Sequence, residues 1–423
     1  MAPREYEAVR QQWKVFHEQR KESSADGLNV KEPTVLVHNR PYLPHLTVDA
    51  SKDDDIRMCV SQLLQLPTTE KERSAMGITN AKDFQLQTIS GGITNRLVRV
   101  SGIITKTPSS QTVSTDIPDS CLVRVFGAEG MIDRDVENAT FAALAQQGLA
   151  PQYYGRFANG RIEGWCDDMR ALTVDELPNY MPPIARAVAQ LHTKFVIPKE
   201  LESSHPLDKP SLWTQLHDWC NQAIQYCQNN DPKAKPINVQ RLGVDVNSMP
   251  KELEWLQTTV VPSNAKVAFC HNDILAANVL VQTNNDNNDN NHNTIQLIDF
   301  EYGGVNFVAF DIANHFNEFA GGPPFDSVPN YNHFPSREQQ LDFVKAYVQE
   351  RRVIRPSQMD TSIDEEVQEL YQHVQAFVLC NHLYWGLWAV NQAATEGNDD
   401  YDYELYAHHR LQQYYVCKKE QYP

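Results

Sequence analysis

The chain has 423 residues, a formal net charge of −17, 41% hydrophobic and 22% charged residues. That length supports two lobes with real cores, and the composition is that of an ordinary globular protein. The acidity excludes a nucleic-acid binder that works through a basic face. Eight cysteines without any CxxC pair predict free thiols in a reducing compartment, Cys121, Cys166, Cys270 and Cys380 lying among apolar neighbours. No apolar run approaches a membrane span, and the N-terminal stretch carries Glu5, Glu7 and Glu18 among its bases, unlike a transit or signal peptide. A cytoplasmic location is the expectation.

Residues 1–30 form a polar N-terminal extension, with Val9, Trp13 and Phe16 at helical spacing. Residues 31–50 read as extended. Asp53–Leu66 reads as an amphipathic helix with Ile56, Val60, Leu63 and Leu64 on one side, ended by Pro67. Phe84–Val100 alternates apolar and polar residues on both sides of Gly91-Gly92, a hairpin pattern. Lys106–Ser120 is a loop rich in Ser, Thr and Pro. Cys121–Gly127 is a strand with Arg124 inside an otherwise apolar run, where a charge needs a partner. Asp133–Gln147 is a helix with Glu137 in its first turns. Tyr153–Phe157 and Arg161–Cys166 form a second hairpin around Asn159-Gly160.

Pro182-Pro183 is expected to open a helix bearing Ile184, Val188, Leu191 and Phe195 on one face; His192 on it reads as structural. Helices follow at Trp213–Asn229 and Pro250–Val261. The run Asn284–Asn293 is low-complexity and expected to be a disordered connection without a metal site. Arg337–Arg352 and Thr361–Ala394 are helices, the latter opened by a Ser362/Glu365 capping box.

The chemistry concentrates in Val267–Phe319. Short apolar runs, Val267–Phe269 and Val279–Val281, flank His271-Asn272-Asp273 and Asn278. A third run, Ile295–Ile298, ends in Asp299. Carboxylates placed where buried strands stop face a ligand. Asp273 followed by Asn278 has the spacing of a phosphotransferase catalytic loop, and Asp299 stands where a metal-binding Asp follows the next strand. On this reading Asp273 is the base or orienting carboxylate, and Asp299 and Asn278 hold Mg²⁺.

The motif CHND…N followed by IDFEYGGVNFVAFDIANHFNEF closely resembles the choline/ethanolamine kinases, and within them ethanolamine kinase most. The resemblance runs from about Phe84 to Tyr415. It implies an α+β, bilobal protein-kinase-like fold with a small β-rich N-terminal lobe (31–165) and a larger, mainly helical C-terminal lobe (166–423). It implies ATP and Mg²⁺ as cofactors, and ATP-dependent conversion of ethanolamine to phosphoethanolamine, which opens phosphatidylethanolamine synthesis by the CDP-ethanolamine route.

Residue by residue, the resemblance makes Gly91, Gly92, Ile93, Thr94 and Asn95 the nucleotide-covering loop. Arg124 becomes the phosphate clamp, ion-paired to Glu137, and Gly164, Trp165 and Cys166 the adenine hinge. His271 joins Asp273 and Asn278 in the catalytic loop in a supporting role, and Asp311 braces that loop. Glu301, two residues past Asp299, is assigned to metal or to the substrate ammonium. Glu318 resembles the acid beside the cationic head group, and Trp385, Trp388 and Tyr406 the aromatic wall. Leu275 stands where choline kinases usually carry Gln; together with GGITN and HFNEFAG this favours ethanolamine over choline. The partner is then a small amino alcohol, with no nucleic acid and no membrane insertion, and a homodimer is left open. The alternatives are a choline or dual kinase, an aminoglycoside-type phosphotransferase, and an inactive kinase-like binding protein, which should have lost Asp273, Asn278 or Asp299.

Overall fold

The computed structural model describes residues 35–37, 39–89, 95–105, 117–127, 132–283, 294–321, 328–356, 362–399 and 401–422. The N-terminal helical patch, Gly91–Thr94 and the Asn284–Asn293 run lie outside the described residues. Two units are present. One holds the chain up to Met169 together with Pro198–Ser204, the other Arg170–Ile197 and everything from His205.

The first unit is built on a seven-stranded sheet. Its strands are β1 (Val35–Val37), β2 (Arg40–Leu43), β3 (Gln85–Ile89), β4 (Asn95–Ser101), β5 (Ser120–Phe126), β6 (Tyr153–Phe157) and β7 (Gly160–Gly164), in the order β1-β2-β6-β7-β5-β4-β3. The pair β2/β6 is parallel and the other pairs are antiparallel. Alternation sends Val98, Val100, Cys121, Val123, Val125 and Ile162 to one face. There they share a core with Ile56, Cys59, Val60 and Leu63 of α1 (Asp53–Leu63). Helix α2 (Glu70–Met76) carries a Thr69/Glu72 capping box but buries no residue, so it left no apolar period to read. Helix α3 (Arg134–Gln146) starts on the Asp133 side chain.

The β6–β7 turn differs from expectation by one position. Phe157 pairs with Gly160, so Ala158 and Asn159 form the turn and Gly160 is already strand. A Cβ at Gly160 would lie 2.2 Å from the Arg124 carbonyl, which reserves the position for glycine. The Asn159 side chain instead pairs with both backbone groups of Val48 at 2.9 Å.

The other face of the sheet carries buried charge. Arg124 and Arg161 are directly paired in the β5/β7 register, an arrangement that repels unless acids intervene. Glu163, two residues along β7 and on the same face, accepts from Arg124 Nε at 2.6 Å and Arg161 Nε at 2.7 Å through one oxygen. Glu137 of α3 meets Arg161 and Arg134, each at 2.7 Å. The expected Arg124–Glu137 pair is therefore corrected: among the described residues the carboxylate that meets Arg124 is Glu163, and Glu137 meets Arg161 and Arg134. Burial alone would raise the Glu137 carboxyl, but Arg161 and Arg134 outweigh it and hold it at about 2. A depressed folded-state value contributes stability above the unfolded value and loses it as pH falls. The unit should thus lose stability between about pH 4.5 and about pH 2. Urea midpoints followed through that window should fall less steeply in Glu137→Gln than in the wild type; equal slopes would remove Glu137 from the acid response.

The second unit is mainly helical. Strand β8 (Met169–Ala171) joins β10 (Val279–Gln282) and β11 (Ile295–Leu297) in the order β11-β10-β8, and β9 (Val267–Cys270) pairs antiparallel with β12 (Gly304–Phe307). The helices are α4 (Leu177–Lys194), α5 (Ser211–Cys227), α6 (Val239–Leu242), α7 (Met249–Trp255), α8 (Val308–Asn317), α9 (Arg337–Ile354), α10 (Ile363–Thr395) and α11 (Tyr403–Gln421). A π-turn, Leu256–Val260, extends α7. Helix α10 opens on the expected Ser362/Glu365 box and is buried on nearly every side from Ala376 to Val390, as suits the central helix of a bundle.

Helix α4 begins earlier than the Pro182-Pro183 signal implied. Pro178 occupies its first turn, and Pro182 and Pro183 lie inside it. A Thr173/Glu176 capping box just upstream starts the helical path before the prolines are reached. No helix among the described residues is long and apolar enough to cross a membrane.

Candidate active site

Three elements of the second unit bring the predicted catalytic residues together. The strands β10 and β11 pair antiparallel with Val279 opposite Leu297, and Ile298 N–H donates to the Asn278 carbonyl at 3.0 Å. That register sets Asp299 beside Asn278, although the Asn-rich run separates them in sequence. Asp299 and Asn272 both adopt left-handed backbone, φ 65° and 66°. Asp and Asn tolerate this conformation best among non-glycine residues, and such outliers gather at functional sites.

The loop after β9 is held from beneath by Asp311 of α8. Its carboxylate accepts from the backbone N–H of His271 at 2.8 Å and of Asn272 at 2.7 Å. It also shares a hydrogen bond with His192 Nε2 at 2.9 Å, and His192 Nδ1 meets the Tyr347 hydroxyl at 3.0 Å. His192 is thus a brace, in line with its structural reading. The His271 ring donates to the Ile298 carbonyl at 2.8 Å, tying the loop to the strand that delivers Asp299. Asn272 closes the frame: it donates to the Tyr302 carbonyl at 2.9 Å and accepts from Asn306 at 2.8 Å.

Asn278 Nδ2 donates to the Asp273 backbone carbonyl at 3.0 Å and its carboxylate at 3.2 Å. This fixes the Asp273 side chain and directs the Asn278 amide oxygen away from it. Burial, then the negative charges of Glu318, Asp299, Glu301 and Asp311, push the Asp273 carboxyl well above the usual range. So concentrated a set of acids is an electrostatic trap for cations.

The aromatic substrate candidates are joined by a chain of ring contacts. Trp388 Nε1 donates to the Tyr302 hydroxyl at 3.0 Å, and Trp385 Nε1 to Asn314 Oδ1 at 2.6 Å. The Trp385 and Trp388 ring centroids are 5.3 Å apart, and Tyr302 meets Trp385 edge-on at 5.4 Å. The contacts continue through Tyr403 and Tyr401 to Tyr406. Glu318, just after α8, is buried and lies 3.4 Å from Arg410 Nη1. Burial raises its carboxyl while Arg410 opposes the rise. Arg410 is anchored on the Asn381 carbonyl and amide oxygen.

Tyr302, Arg410 and Asn381 are not among the sequence-predicted site residues, and Asn272 is named in the loop without a role. Tyr302 had a readable signal, an aromatic three residues past the metal-type Asp. The role of Arg410 depends on how α11 docks against α10, which no local pattern announces.

The nucleotide candidates lie in the first unit. Asn95 is buried at the start of β4 and accepts from Arg134 at 3.4 Å. Gly164 ends β7, where a Cβ would press on Gln152 at 3.1 Å. The Trp165 ring stacks on the Arg99 guanidinium, 4.7 Å from centroid to charge. Cys166 follows, half-buried, its thiol raised by burial.

The family model for choline/ethanolamine kinase matches residues 86–415. Human ethanolamine kinase 2 is 32% identical over 335 residues, 78% of this chain and 75% of that protein. An ethanolamine kinase from Plasmodium vivax superposes with a TM-score of 0.65 at 22% identity, over 87% of this chain and 91% of the other. A choline kinase from Cryptosporidium parvum gives 0.63 at 23% identity, over 86% and 96%. Fold and site together define a phosphotransferase of the α+β, protein-kinase-like kind. The chain belongs to the choline/ethanolamine kinase family.

Proposed function

We propose that this protein transfers the γ-phosphoryl group of ATP to the hydroxyl of ethanolamine, giving phosphoethanolamine. The observation that carries the reading is the Asp273–Asn278 loop, joined by the β10–β11 ladder to the strand that leads to Asp299, with the acids Glu318, Asp299, Glu301 and Asp311 acting on Asp273. The similarity to human ethanolamine kinase 2 supports ethanolamine as the acceptor.

Asp273 orients the acceptor hydroxyl and takes its proton as the oxygen attacks phosphorus. Asn278 holds Asp273 in place by its amide, and His271 and Asp311 hold the loop. The acids around Asp273 fit a hard cation, and Asp299, Asn278 and Glu301 would hold Mg²⁺, which would supply charge neutralisation for the phosphates. In the first unit, Gly91, Gly92, Ile93, Thr94, Asn95, Arg124, Gly164, Trp165 and Cys166 are assigned to the nucleotide. Glu137 acts on Arg124 only indirectly, through Arg161 and Glu163.

Glu318 offers charge and hydrogen bonding to a primary ammonium, which has three donors. The rings Trp385, Trp388 and Tyr406 supply shape and cation–π attraction, which also suit a quaternary ammonium. Choline as a second substrate is therefore favoured by the rings themselves. ADP release measured side by side with ethanolamine, choline and the N-methylated intermediates tests the assignment.

The same assay separates acid from rings. Glu318→Gln should lower kcat/KM for ethanolamine by roughly ten- to a hundredfold, the scale of a lost charged hydrogen bond, and for choline by less. Trp388→Ala should lower both, choline proportionally more. Equal losses for the two amines in both variants would show that these residues do not set the choice.

A further inference from the structure

Behind the catalytic loop, within the second unit, lies a cavity of about 240 Å³ that no step of the reaction uses. It is smaller than the roughly 300–1,000 Å³ usual for drug-sized ligands, so it suits a small one. The walls come from the end of α4, the strand β9, and the facing ends of α9 and α10. Their charges are unevenly matched. Glu366 is saturated, meeting Lys266 at 3.0 Å, Arg352 at 3.0 Å, and Arg351. Arg355 donates only to the Thr193 carbonyl, at 2.7 Å, and meets no carboxylate among the described residues. Glu369 accepts only from the Asn264 amide, at 2.8 Å, and meets no cation among the described residues. The exposed rim of the cavity thus presents a guanidinium and a carboxylate that meet no countercharge among the described residues, with Arg351 and Lys266 beside them.

The cavity is also wired to the catalytic loop. Tyr347 and His192 line it. Tyr347 hydrogen-bonds His192, His192 hydrogen-bonds Asp311, and Asp311 holds the N–H groups of His271 and Asn272. Val267 and Ala268 of its wall run directly into His271.

We propose that this cavity is a second, regulatory site for a small zwitterionic phosphomonoester, and that the enzyme's own product, phosphoethanolamine, occupies it. The choice of product rests on the function proposed above. The phosphate would meet the Arg355 fork, which recognises such groups in bidentate fashion, and the ammonium would meet Glu369. The relay to Asp311 runs through Tyr347 and His192, so a ligand that displaces Tyr347 loosens the loop, and binding lowers kcat.

The test is titration calorimetry of phosphoethanolamine on the full chain, paired with initial rates at saturating ethanolamine with added product. The proposal expects two binding sites in the wild type and a saturable fall in kcat. Arg355→Ala and Glu369→Gln should each weaken the second site by about tenfold, the scale of one charged hydrogen bond. Both variants should keep their product-free kcat and KM within about twofold, since neither residue belongs to the catalytic or substrate set. A single site in the wild type, or two sites unchanged in both variants, would overturn the proposal. Inorganic phosphate binding there as tightly as phosphoethanolamine would overturn the ammonium contact to Glu369. The product-free rates report separately on ethanolamine turnover, so a wrong substrate and a wrong second site give different results.

Discussion

Asp273→Asn should lower kcat by at least about a hundredfold, the usual scale for losing general acid–base help, while leaving nucleotide affinity near that of the wild type. The side chain is oriented by Asn278, which donates to both its backbone and its carboxylate. An Asn at 273 keeps the size but cannot accept the hydroxyl proton. Single-turnover rates isolate the chemical step, and equilibrium titration with a non-hydrolysable nucleotide isolates binding. A variant with near-native kcat would end the assignment of Asp273. Folding is not expected to suffer, because burial and neighbouring negative charge disfavour the ionised Asp273 carboxyl in the protein without metal.

Asp311→Asn should cost both activity and stability. The wild-type carboxylate takes part in three hydrogen bonds, with the backbone N–H groups of His271 and Asn272 and with His192. An amide has one oxygen, so at least one buried N–H must face an NH₂ group. Each charged hydrogen bond lost is worth about 1.5–3 kcal/mol, and an unsatisfied buried donor adds about 1–3 kcal/mol. A fall of several degrees in Tm should accompany a fall in kcat of about tenfold or more. The loss should fall on kcat more than on KM for either substrate, since Asp311 positions the loop. An unchanged Tm with unchanged kcat would show that the loop holds itself.

The strand ends that carry Asp273, Asn278 and Asp299 were legible because polar residues stand where apolar runs stop, a pattern that survives locally. Helices with apolar stripes or clear caps, such as α1, α9 and α10, were legible for the same reason. The partner of Arg124 was not. Glu137 and Glu163 are both nearby acids, and the choice between them is made by the β5/β7 register, which sets Arg161 opposite Arg124. Register is a property of two strands and is absent from either alone. The β6–β7 turn was misplaced by one residue because Asn-Gly is a strong turn signal, whereas Gly160 is required by the close approach of the Arg124 carbonyl. The Pro182-Pro183 signal failed because the Thr173/Glu176 box and Pro178 start the helix upstream, which leaves these two prolines in its interior. Arg410 and Asn381 became visible only once α10 and α11 were docked around Glu318.

The β10–β11 hairpin fixes the spacing of the residues that flank it. Its paired residues begin at Val279 and Leu297, next to Asn278 and Asp299, and end at Val281 and Ile295. The pair Val281 and Ile295 is thus the end of the ladder away from Asn278 and Asp299. Closing a longer loop adds only about 0.6 kcal/mol per doubling of its length. The separation of the two metal-type residues in sequence is therefore a free variable, whereas their separation in space is locked by the ladder. Lengthening the connection between Gln282 and Ile295 should therefore leave Asn278 and Ile298 paired across the ladder as they are.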